Sequence, residues 1–320
     1  MGKIVQWMLV IGLAFAPVLS AAPAAATLLH TWVASTGNDG NDCDISTPCS
    51  TFSGAYEKTT AGGEITCADS GEFAGLSITH SITVNCENSN GSTLNPNNDQ
   101  IFIVPNNDTA VVVLRGLDFD LATSQCSSAS AIIFRGVGAL HVEKVKINQG
   151  GAGCTGISFT PNGPGKLFIS DSDITNIGGS GTDAGVYVGP ASGVEADLVI
   201  DRTHIEGNYF GIIADGNPGG IVHGVIRDSV VSGNSENAIT ASTTSSNVVL
   251  FVDNTAVSGN LHGLVAGGST AAMMVSNTGV SGNSVGLFAV NGGQLFSYGN
   301  NRVDGNNGSN GEFTGPATLK

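Results

Sequence analysis

Short runs of β-branched and aliphatic residues, broken by Gly, Asn and Ser, recur along the chain from residue 140 onward. The clearest repeats close on a Gly-Asn pair, and the closing residues are Asn208, Asn234, Asn260, Asn283 and Asn306, with steps of 26, 26, 23 and 23 residues. Periods of this length are typical of solenoids. Helical solenoids need long stripes of 3.6-residue period, and leucine-rich repeats need closely spaced leucines. Neither pattern is present, so the repeats predict a β-solenoid.

Aligning the repeats gives three apolar columns, one for each strand of a predicted coil. The columns are Phe119, Ile147, Ile174, Ile205, Val231, Val257, Val280 and Val303; Ile132, Ile157, Val186, Ile212, Ile239, Leu264 and Leu287; and Val142, Ile169, Ile200, Ile226, Val252 and Val275. Successive coils lie about 4.8 Å apart, so like residues stack on one another. The predicted fold class is all-β: a right-handed single-stranded parallel β-helix with three strands per coil, about nine to ten coils and a short N-terminal capping helix.

The second strand carries a further inward row two residues later, because side chains two apart share a face of a strand. This row shrinks from Phe to Ala through Phe134, Phe159, Val188, Ala214, Ala241, Ala266 and Ala289, which predicts a narrowing interior. The outward residues between the two rows are Ile133, Ser158, Tyr187, Ile213, Thr240, Val265 and Phe288. None is a carboxylate, so this face is predicted to be apolar and without acid–base chemistry. Either a loop or the C-terminal tail covers it, or it serves lateral self-association.

The five closing asparagines are interpreted as a structural ladder. Asn tolerates the left-handed turn conformation, and stacked amides bond to one another along a parallel stack.

The N-terminus has the pattern of a signal peptide. Lys3 precedes an apolar stretch from Ile4 to Val18, and residues 24–26, all alanine, offer a cleavage site; residues 20–22 offer a second. The apolar stretch is shorter than the ~20 residues of a membrane-spanning helix. The sequence therefore predicts a secreted protein, periplasmic, on the cell surface or extracellular, with no membrane span after cleavage.

All six cysteines lie in the first half of the chain: Cys43, Cys49, Cys67, Cys86, Cys126 and Cys154. An even count in an exported chain favours disulfides, and six cysteines allow fifteen connectivities. Among these, proximity in sequence favours Cys43 with Cys49, Cys67 with Cys86 and Cys126 with Cys154. No Cys-x-x-Cys or clustered Cys/His spacing is present, so no metal site is expected.

The opening of the chain resembles the pectin-lyase-like superfamily of right-handed parallel β-helix proteins. Phe52, Ala55 and Tyr56 lie on one face of a predicted short helix that caps the open end of the coil. The segments that carry the resemblance are Thr36-Gly37-Asn38-Asp39-Gly40, Pro48-Cys49, Gly62-Gly63-Glu64-Ile65 and Gly71-Glu72-Phe73. The resemblance implies the fold over residues 31–306, and it makes polysaccharide lyase or hydrolase chemistry the natural enzyme hypothesis. The superfold also hosts adhesins and tailspikes.

The motifs that this resemblance would require for catalysis are missing as sets. His223-Gly224 and His262-Gly263 each match part of the Gly-His-Gly motif of the family's hydrolases, without its partners. The acidic cluster and arginine base of the calcium-dependent lyases are also absent. No cofactor is therefore expected, and calcium would enter only with lyase activity.

Charge collects on the outward side of the column that contains Ile205. The residue before each member of this column points outward, and these residues stack as Asp118, Lys146, Asp173 and His204. The residue after each member also points outward, and these residues stack as Asp120, Asn148, Thr175 and Glu206. Carboxylates on adjacent coils are about 5 Å apart, a usable spacing for glycoside hydrolysis, and His204 could add an acid or base. Asp173, His204 and Glu206 are the candidate catalytic residues; the alternative is a solvated polar face. Asp201, Arg202, His223, Arg227 and Asp228 are expected on nearby turns.

The formal net charge of −15 excludes a nucleic-acid partner, because phosphate binding needs a basic surface. The predicted organisation is a signal peptide over residues 1–26, an N-terminal strand and capping helix over 27–64, a β-helix over 65–306 and a polar tail over 307–320. The preferred function is a non-catalytic extracellular or envelope scaffold that binds a polysaccharide or itself. The alternative is a polysaccharide lyase or glycoside hydrolase, so whether the protein is an enzyme stays open.

Overall fold

The structure is a computed structural model, and it describes residue 2 and residues 28–89, 91–93, 101–121 and 129–318. The predicted signal peptide lies outside these ranges except for Gly2. The described chain is a parallel β-solenoid of about eight turns with almost no helix. The fold class predicted from the repeats, a parallel β-helix with three strands per coil, is confirmed.

One short helix and a regular succession of short strands make up the described residues. In chain order they are β1(Leu28–Val33), α1(Phe52–Tyr56), β2(Thr59–Cys67), β3(Gly71–Glu72), β4(Leu76–Ile78), β5(Ile82–Asn85), β6(Gly91–Thr93), β7(Ile101–Ile103), β8(Val111–Arg115), β9(Leu117–Asp120), β10(Ala129–Phe134), β11(Gly138–Glu143), β12(Lys146–Asn148), β13(Cys154–Phe159), β14(Gly165–Ser170), β15(Asp173–Thr175), β16(Ala184–Val188), β17(Glu195–Asp201), β18(His204–Glu206), β19(Phe210–Asp215), β20(Ile221–Arg227), β21(Val230–Ser232), β22(Asn237–Ser242), β23(Val248–Asp253), β24(Ala256–Ser258), β25(His262–Gly267), β26(Ala271–Ser276), β27(Gly279–Ser281), β28(Val285–Val290), β29(Gln294–Ser297), β30(Arg302–Val303) and β31(Gly315–Pro316).

From β2 to β30, every third strand joins the same parallel sheet. Sheet 1 has the order β1-β2-β5-β8-β11-β14-β17-β20-β23-β26-β29-β31, sheet 2 runs from β3 to β30 in steps of three strands, and sheet 3 runs likewise from β4 to β28. Each coil therefore passes through sheets 1, 2 and 3 before the chain rises to the next coil. Inward side chains of all three sheets meet in one core.

The register of the sheets reproduces the three predicted apolar columns. Ile205 pairs with Ile174 and Val231 in sheet 2, and Ile212 pairs with Val186 and Ile239 in sheet 3. In the Ile205 column of sheet 2 and the Ile212 column of sheet 3, the residues on β12 to β25 are all 0% exposed. Since each residue packs on its own equivalents, burial of apolar area is repeated at every coil and stabilises the whole stack.

The inward row of sheet 3 narrows as predicted, from stacked Phe134 and Phe159, with ring centroids 4.6 Å apart, to buried Ala241 and Ala266. Ala289 continues the row on β28 but is exposed, because β28 is the last strand of sheet 3.

The N-terminal end of the core is closed by α1. The Thr51 side chain caps this helix by accepting a hydrogen bond from the Gly54 amide, and Asp39 in turn accepts hydrogen bonds from the amides of Ser50 and Thr51. Phe52 is fully buried, and its ring lies 5.3 Å from that of Phe73. The predicted capping helix is therefore present and covers the first coil.

Two of the three expected disulfides are present, Cys43–Cys49 and Cys67–Cys86, with Cα–Cα distances of 4.7 and 4.8 Å. Cys154 is also disulfide-bonded. Its expected partner, Cys126, lies outside the described residues. Such bonds fit an extracellular or otherwise oxidising environment.

The closing asparagines form a continuous hydrogen-bonded stack inside the turns between sheets 2 and 3. Each Nδ2 donates to Oδ1 of the next asparagine: Asn208 to Asn234, Asn234 to Asn260, Asn260 to Asn283 and Asn283 to Asn306, over 2.8–3.1 Å. The first four are at most 3% exposed. The same Oδ1 atoms also accept the backbone N–H of the preceding asparagine, so the stack satisfies buried main-chain groups as well as side chains.

The left-handed residue of each of these turns is the glycine, and the expectation that the asparagine takes this conformation is wrong. Gly207, Gly233, Gly259, Gly282 and Gly305 all have φ between 62° and 72°. The asparagine is thereby free to point its side chain inward.

Replacing Gly233 with alanine is expected to lower the free energy of unfolding by about 1–2 kcal/mol, the cost of a Cβ in the left-handed region. A Cβ at this position meets only the Gly207 amide nitrogen, at 3.7 Å, so steric overlap adds little. Urea titration followed by circular dichroism measures the change. An unchanged midpoint would contradict the assigned turn.

The chain after residue 306 adds a last partial coil. The amides of Gly286 and Leu287 donate to the carbonyls of Ser309 and Asn310, and β31 pairs with β29. Phe313 packs against the end of the core. Residues 307–318, assigned from their composition to a polar tail, thus cover the C-terminal end of the solenoid.

Candidate functional site

The predicted catalytic residues stack on the outer face of sheet 2. Asp173 pairs in register with Lys146 on one side and His204 on the other, and Thr175 pairs with Glu206. Asp173 Oδ1 lies 3.3 Å from His204 Nδ1, and Glu206 Oε1 accepts a hydrogen bond from Ser232 Oγ over 2.8 Å. The structure therefore brings Asp173 and His204 into contact, while Glu206 lies one outward position further along the strands.

These side chains are open to water. The side chains of Asp173 and His204 are 50% and 58% exposed. Exposed charges interact weakly, and catalysis by charged groups is strongest where water is excluded. Lower on the same face, partial burial raises the pKa of Asp118, Lys146 opposes this rise and Asp120 adds to it. The arrangement is a solvated polar face with one His–Asp contact.

The charged residues expected on nearby turns are divided between turns and strands. Asp201, His223 and Arg227 lie on β17 and β20 in sheet 1, so their placement on turns is wrong. Arg202 and Asp228 do occupy turns, with φ of 46° and 52°.

The outer face of sheet 3 is more enclosed and more polar than the sequence predicted. Ile133, Ile213 and Val265 point outward but are only 6–8% exposed, because each lies between stacked neighbours about 4.8 Å away in the sheet. Phe288, on the edge strand β28, is 40% exposed. The expectation that this face lacks a carboxylate is also wrong, since Asp215 stands on it two residues after Ile213.

A polar hollow of about 290 Å³ lies at one end of this face; we call it the Tyr187 hollow. It is lined by Ser130, Gly153, Thr155, Ser158, Thr182, Asp183 and Tyr187. Hydroxyl groups from three coils point into it, together with one side of the tyrosine.

The wall of the Tyr187 hollow is held in place by Asp183. Its Oδ2 accepts hydrogen bonds from the amides of Gly153, Gly179 and Ser180 over 2.8–3.0 Å, and the residue is 8% exposed. Three amide donors occupy this oxygen, so Asp183 shapes the loop that borders the hollow.

A second hollow of about 460 Å³, the Asn217 hollow, follows toward the C-terminal coils. It is lined by Asn217, Ser242, Thr243, Thr244, Gly267, Gly268, Ser269 and Asn291. Gly267 occupies an outward position in register with Ser242, and a Cβ there would meet only Val290, at 3.6 Å. The missing side chain therefore leaves room above the sheet.

Asp215 connects the two hollows through hydrogen bonds. Tyr187 Oη donates to Asp215 Oδ2 over 2.9 Å, and Asp215 Oδ1 accepts from the Asn217 amide over 2.9 Å and from Asn217 Nδ2 over 2.6 Å. Ser242 Oγ donates to the same Oδ1 over 3.3 Å. Burial, reinforced by the charge of Asp215, raises the pKa of Tyr187, so the phenol stays protonated and donates throughout the physiological range.

This network could have been found from the repeats. Gly189, Asp215, Ser242 and Gly267 each come one residue after the inward row of Val188, Ala214, Ala241 and Ala266. Extending the alignment by one position would have shown a row of small and polar residues. Gly189 has a further role, because a Cβ there would lie 2.7 Å from the Tyr187 ring.

A third group of chemically active side chains lies on sheet 1. Glu195, Asp197 and His223 place ligand-type atoms within 4.8 Å of one another. His223 Nδ1 already contacts Glu195 Oε1 at 3.0 Å, and Lys166 Nζ lies 3.5 Å from Asp197 Oδ2. These two contacts together involve all three side chains of the group.

No family model, no curated protein and no solved structure matches this chain. Function is therefore argued from the site alone.

Within the described residues, no helix is long and apolar enough to cross a membrane.

Proposed function

We propose that this protein is a secreted, non-catalytic β-helix that binds a polysaccharide along the outer face of sheet 3. The observation that carries the proposal is the hydrogen-bonded series Tyr187–Asp215–Asn217, which links a residue of the Tyr187 hollow to a residue of the Asn217 hollow. We call the two hollows and this series together the groove. The groove runs from the strand starts near β16 to the strand ends of β19 and β22, so an extended polymer can lie obliquely across successive coils of sheet 3.

The groups that line the groove match the chemistry of a sugar. Hydroxyl, amide and carboxylate groups accept and donate hydrogen bonds to sugar hydroxyls, and the tyrosine supplies an amphipathic ring that packs against the apolar face of a pyranose. Coils repeat every 4.8 Å or so, about the length of one sugar unit. A few fixed polar groups in a preformed groove are typical of a ligand-binding site.

The charge of the groove favours a neutral polymer. No lysine or arginine lines either hollow, whereas Asp183 and Asp215 are both acidic. The whole chain carries a formal net charge of −15. A polyanionic glycan would be repelled at low salt, so neutral polysaccharides are the proposed ligands.

Membership of the pectin-lyase-like superfamily and export from the cell belong to the same proposal. The solenoid with a helix-capped first coil supports the family, and the disulfides together with the N-terminal sequence pattern support secretion. The destination proposed is the periplasm, the cell surface or the extracellular space.

The second candidate function is a polysaccharide lyase or glycoside hydrolase that acts through sheet 2. The contact between Asp173 and His204 favours it. Under our proposal, Asp173→Ala and Glu206→Ala leave glycan retention and urea midpoint unchanged. If the protein is instead an enzyme of this kind, either substitution abolishes turnover.

A screen against neutral and acidic polysaccharides tests the proposal. Affinity electrophoresis measures retention, and assays for reducing ends and unsaturated products, with and without calcium, measure turnover. We expect retention of at least one neutral polysaccharide and no products. Product release that is lost in Asp173→Ala, or no retention on any polymer, would overturn the proposal.

A further inference from the structure

The outer face of sheet 1 carries an unbroken row of mostly apolar side chains over eight consecutive strands. Starting on β8 and ending on β29, the row, which we call the sheet 1 stripe, comprises Val113, His141, Phe168, Val199, Val225, Phe251, Met274 and Phe296. Thr83 precedes it in register and Gly315 follows it. The apolar surface therefore has a defined beginning and end.

The stripe is accessible and includes a shallow groove. None of its eight side chains belongs to the buried core, and Phe168, Val199, Val225, Phe251 and Met274 contribute to a groove of about 540 Å³. His141 stacks on Phe168 with ring centroids 4.5 Å apart, and burial lowers the pKa of this histidine. His141 is therefore neutral at pH 7 and compatible with an apolar surface.

On the two central strands beside the stripe, the charged and titratable side chains form complementary pairs. The midpoint of the eight strands lies between β17 and β20. On one side of the stripe Asp197 pairs in register with His223, and on the other side Asp201 pairs with Arg227. Two copies of the chain could be related by a two-fold axis that runs parallel to the strands through this midpoint. Asp197 would then lie opposite the partner's His223, and Asp201 would lie opposite the partner's Arg227.

In such a pair of chains each side chain of the sheet 1 stripe faces a side chain of the partner's stripe. Val199 faces the partner's Val225, and Phe168 faces the partner's Phe251. Asp197 faces the partner's His223. Within one chain Arg227 Nε donates to Asp201 Oδ1 over 3.0 Å, and Arg202 also contacts Asp201. The partner's Arg227 would therefore extend an existing network of charges.

The other face-to-face symmetry is less favourable. A two-fold axis along the solenoid would place residues of one strand opposite the same strand of the partner. Asp197 would then face the partner's Asp201, and His223 would face the partner's Arg227. Two carboxylates that face each other in a desolvated interface are strongly disfavoured, so the contact between Asp197 and the partner's Asp201 selects the first arrangement.

The face is large enough for a stable dimer. Seven inter-strand spacings of about 4.8 Å and strands of about six residues give a face of roughly 34 by 20 Å. This flat area is comparable with the ~800 Å² that each partner buries in a standard interface.

We infer that two copies of this chain associate through the sheet 1 stripe, with antiparallel solenoid axes and a two-fold axis between β17 and β20. The interface is isologous and leaves the outer face of sheet 3 of both copies open.

Sedimentation velocity of the protein purified after export from a bacterial host tests the dimer. We expect a dimer for the natural sequence and at least a hundredfold weaker association for Val225→Arg, because a charge would be buried at the centre of the stripe. The matched control is Val230→Arg, a similarly half-buried outward valine on β21 of sheet 2, which should remain dimeric. A monomer at high micromolar concentration, or a dimer that withstands Val225→Arg, would overturn the inference.

Cross-linking tests the symmetry. Val199→Cys and Val225→Cys, made in separate chains, should form a disulfide-linked dimer when mixed and little when each is oxidised alone. The described cysteines are all in disulfides and do not compete. Efficient self-cross-linking of either variant alone would contradict the proposed axis.

Val225→Arg should still retain glycan. Loss of glycan retention without a change in assembly would show that a polysaccharide, not a second copy, occupies the stripe.

Discussion

Asn260→Ala is expected to lower the free energy of unfolding by about 2–4 kcal/mol, a large part of the stability of a typical domain. Asn260 Oδ1 accepts hydrogen bonds from the Asn234 amide and from Asn234 Nδ2, over 2.9 and 2.8 Å. Its Nδ2 donates to the carbonyls of Val231 and Ser258 and to Asn283 Oδ1. Alanine removes all of these bonds at a site that is 3% exposed.

The cost comes chiefly from groups left without a partner. The Asn234 backbone N–H would lose its acceptor, Asn260 Oδ1, in a residue that is 1% exposed. An unsatisfied buried donor costs roughly 1–3 kcal/mol, and the lost side-chain bonds and the small cavity add to this.

Urea titration measures this change, with Asn307→Ala as the matched control. Asn307 follows the last residue of the ladder but is exposed, so its substitution should change the free energy of unfolding by less than about 0.5 kcal/mol. Equal effects of the two substitutions would show that the buried amide stack does not stabilise the coils.

Asp215→Ala is expected to weaken glycan binding by about tenfold to a hundredfold while the fold is retained. Hydrogen bonds to a charged group contribute roughly 1.5–3 kcal/mol, and 1.4 kcal/mol corresponds to a factor of ten in affinity. Asp215 accepts from Tyr187 Oη and from both nitrogens of Asn217, so its removal frees the side chains at the centre of the groove.

Calorimetric titration with an oligosaccharide of the retained polymer measures this loss. Asp173→Ala is the matched control, since it removes an exposed carboxylate from sheet 2. If Asp173→Ala weakens binding and Asp215→Ala does not, the binding face is sheet 2.

The coil architecture was predictable because inward positions obey one rule. An inward residue on any coil packs on its own equivalents, so Ile205 and its column must all be apolar and of similar size, and this constraint is visible as a repeat in one sequence. The capping helix was predictable for a related reason, since Phe52 and Ala55 must close the same apolar interior.

The outer faces were predicted less well because exposure there depends on neighbours from other coils. Ile213 is apolar and points outward, yet it is 8% exposed between Tyr187 and Thr240. The sheet 1 stripe was not recognised at all, because Phe168 and Phe251 lie 83 residues apart and become one surface only when the coils are stacked.

The candidate site differs from the predicted one for the same reason. The predicted site consisted of charged residues in two neighbouring outward columns of sheet 2, Asp173 and His204 in one and Glu206 in the other. The groove depends as much on the absence of side chains at Gly189 and Gly267 as on Asp215. Space left by a glycine shows only when the register of the sheet is known.

Hydroxyl-radical footprinting with and without the retained oligosaccharide tests the central claim most directly, because it reports the exposure of individual side chains on a rigid scaffold. Binding in the groove predicts protection of Tyr187, which lines the groove on sheet 3, and unchanged oxidation of His204 on sheet 2. Protection of His204, with Tyr187 unchanged, would contradict the account and move the binding site to the Asp173–His204 face.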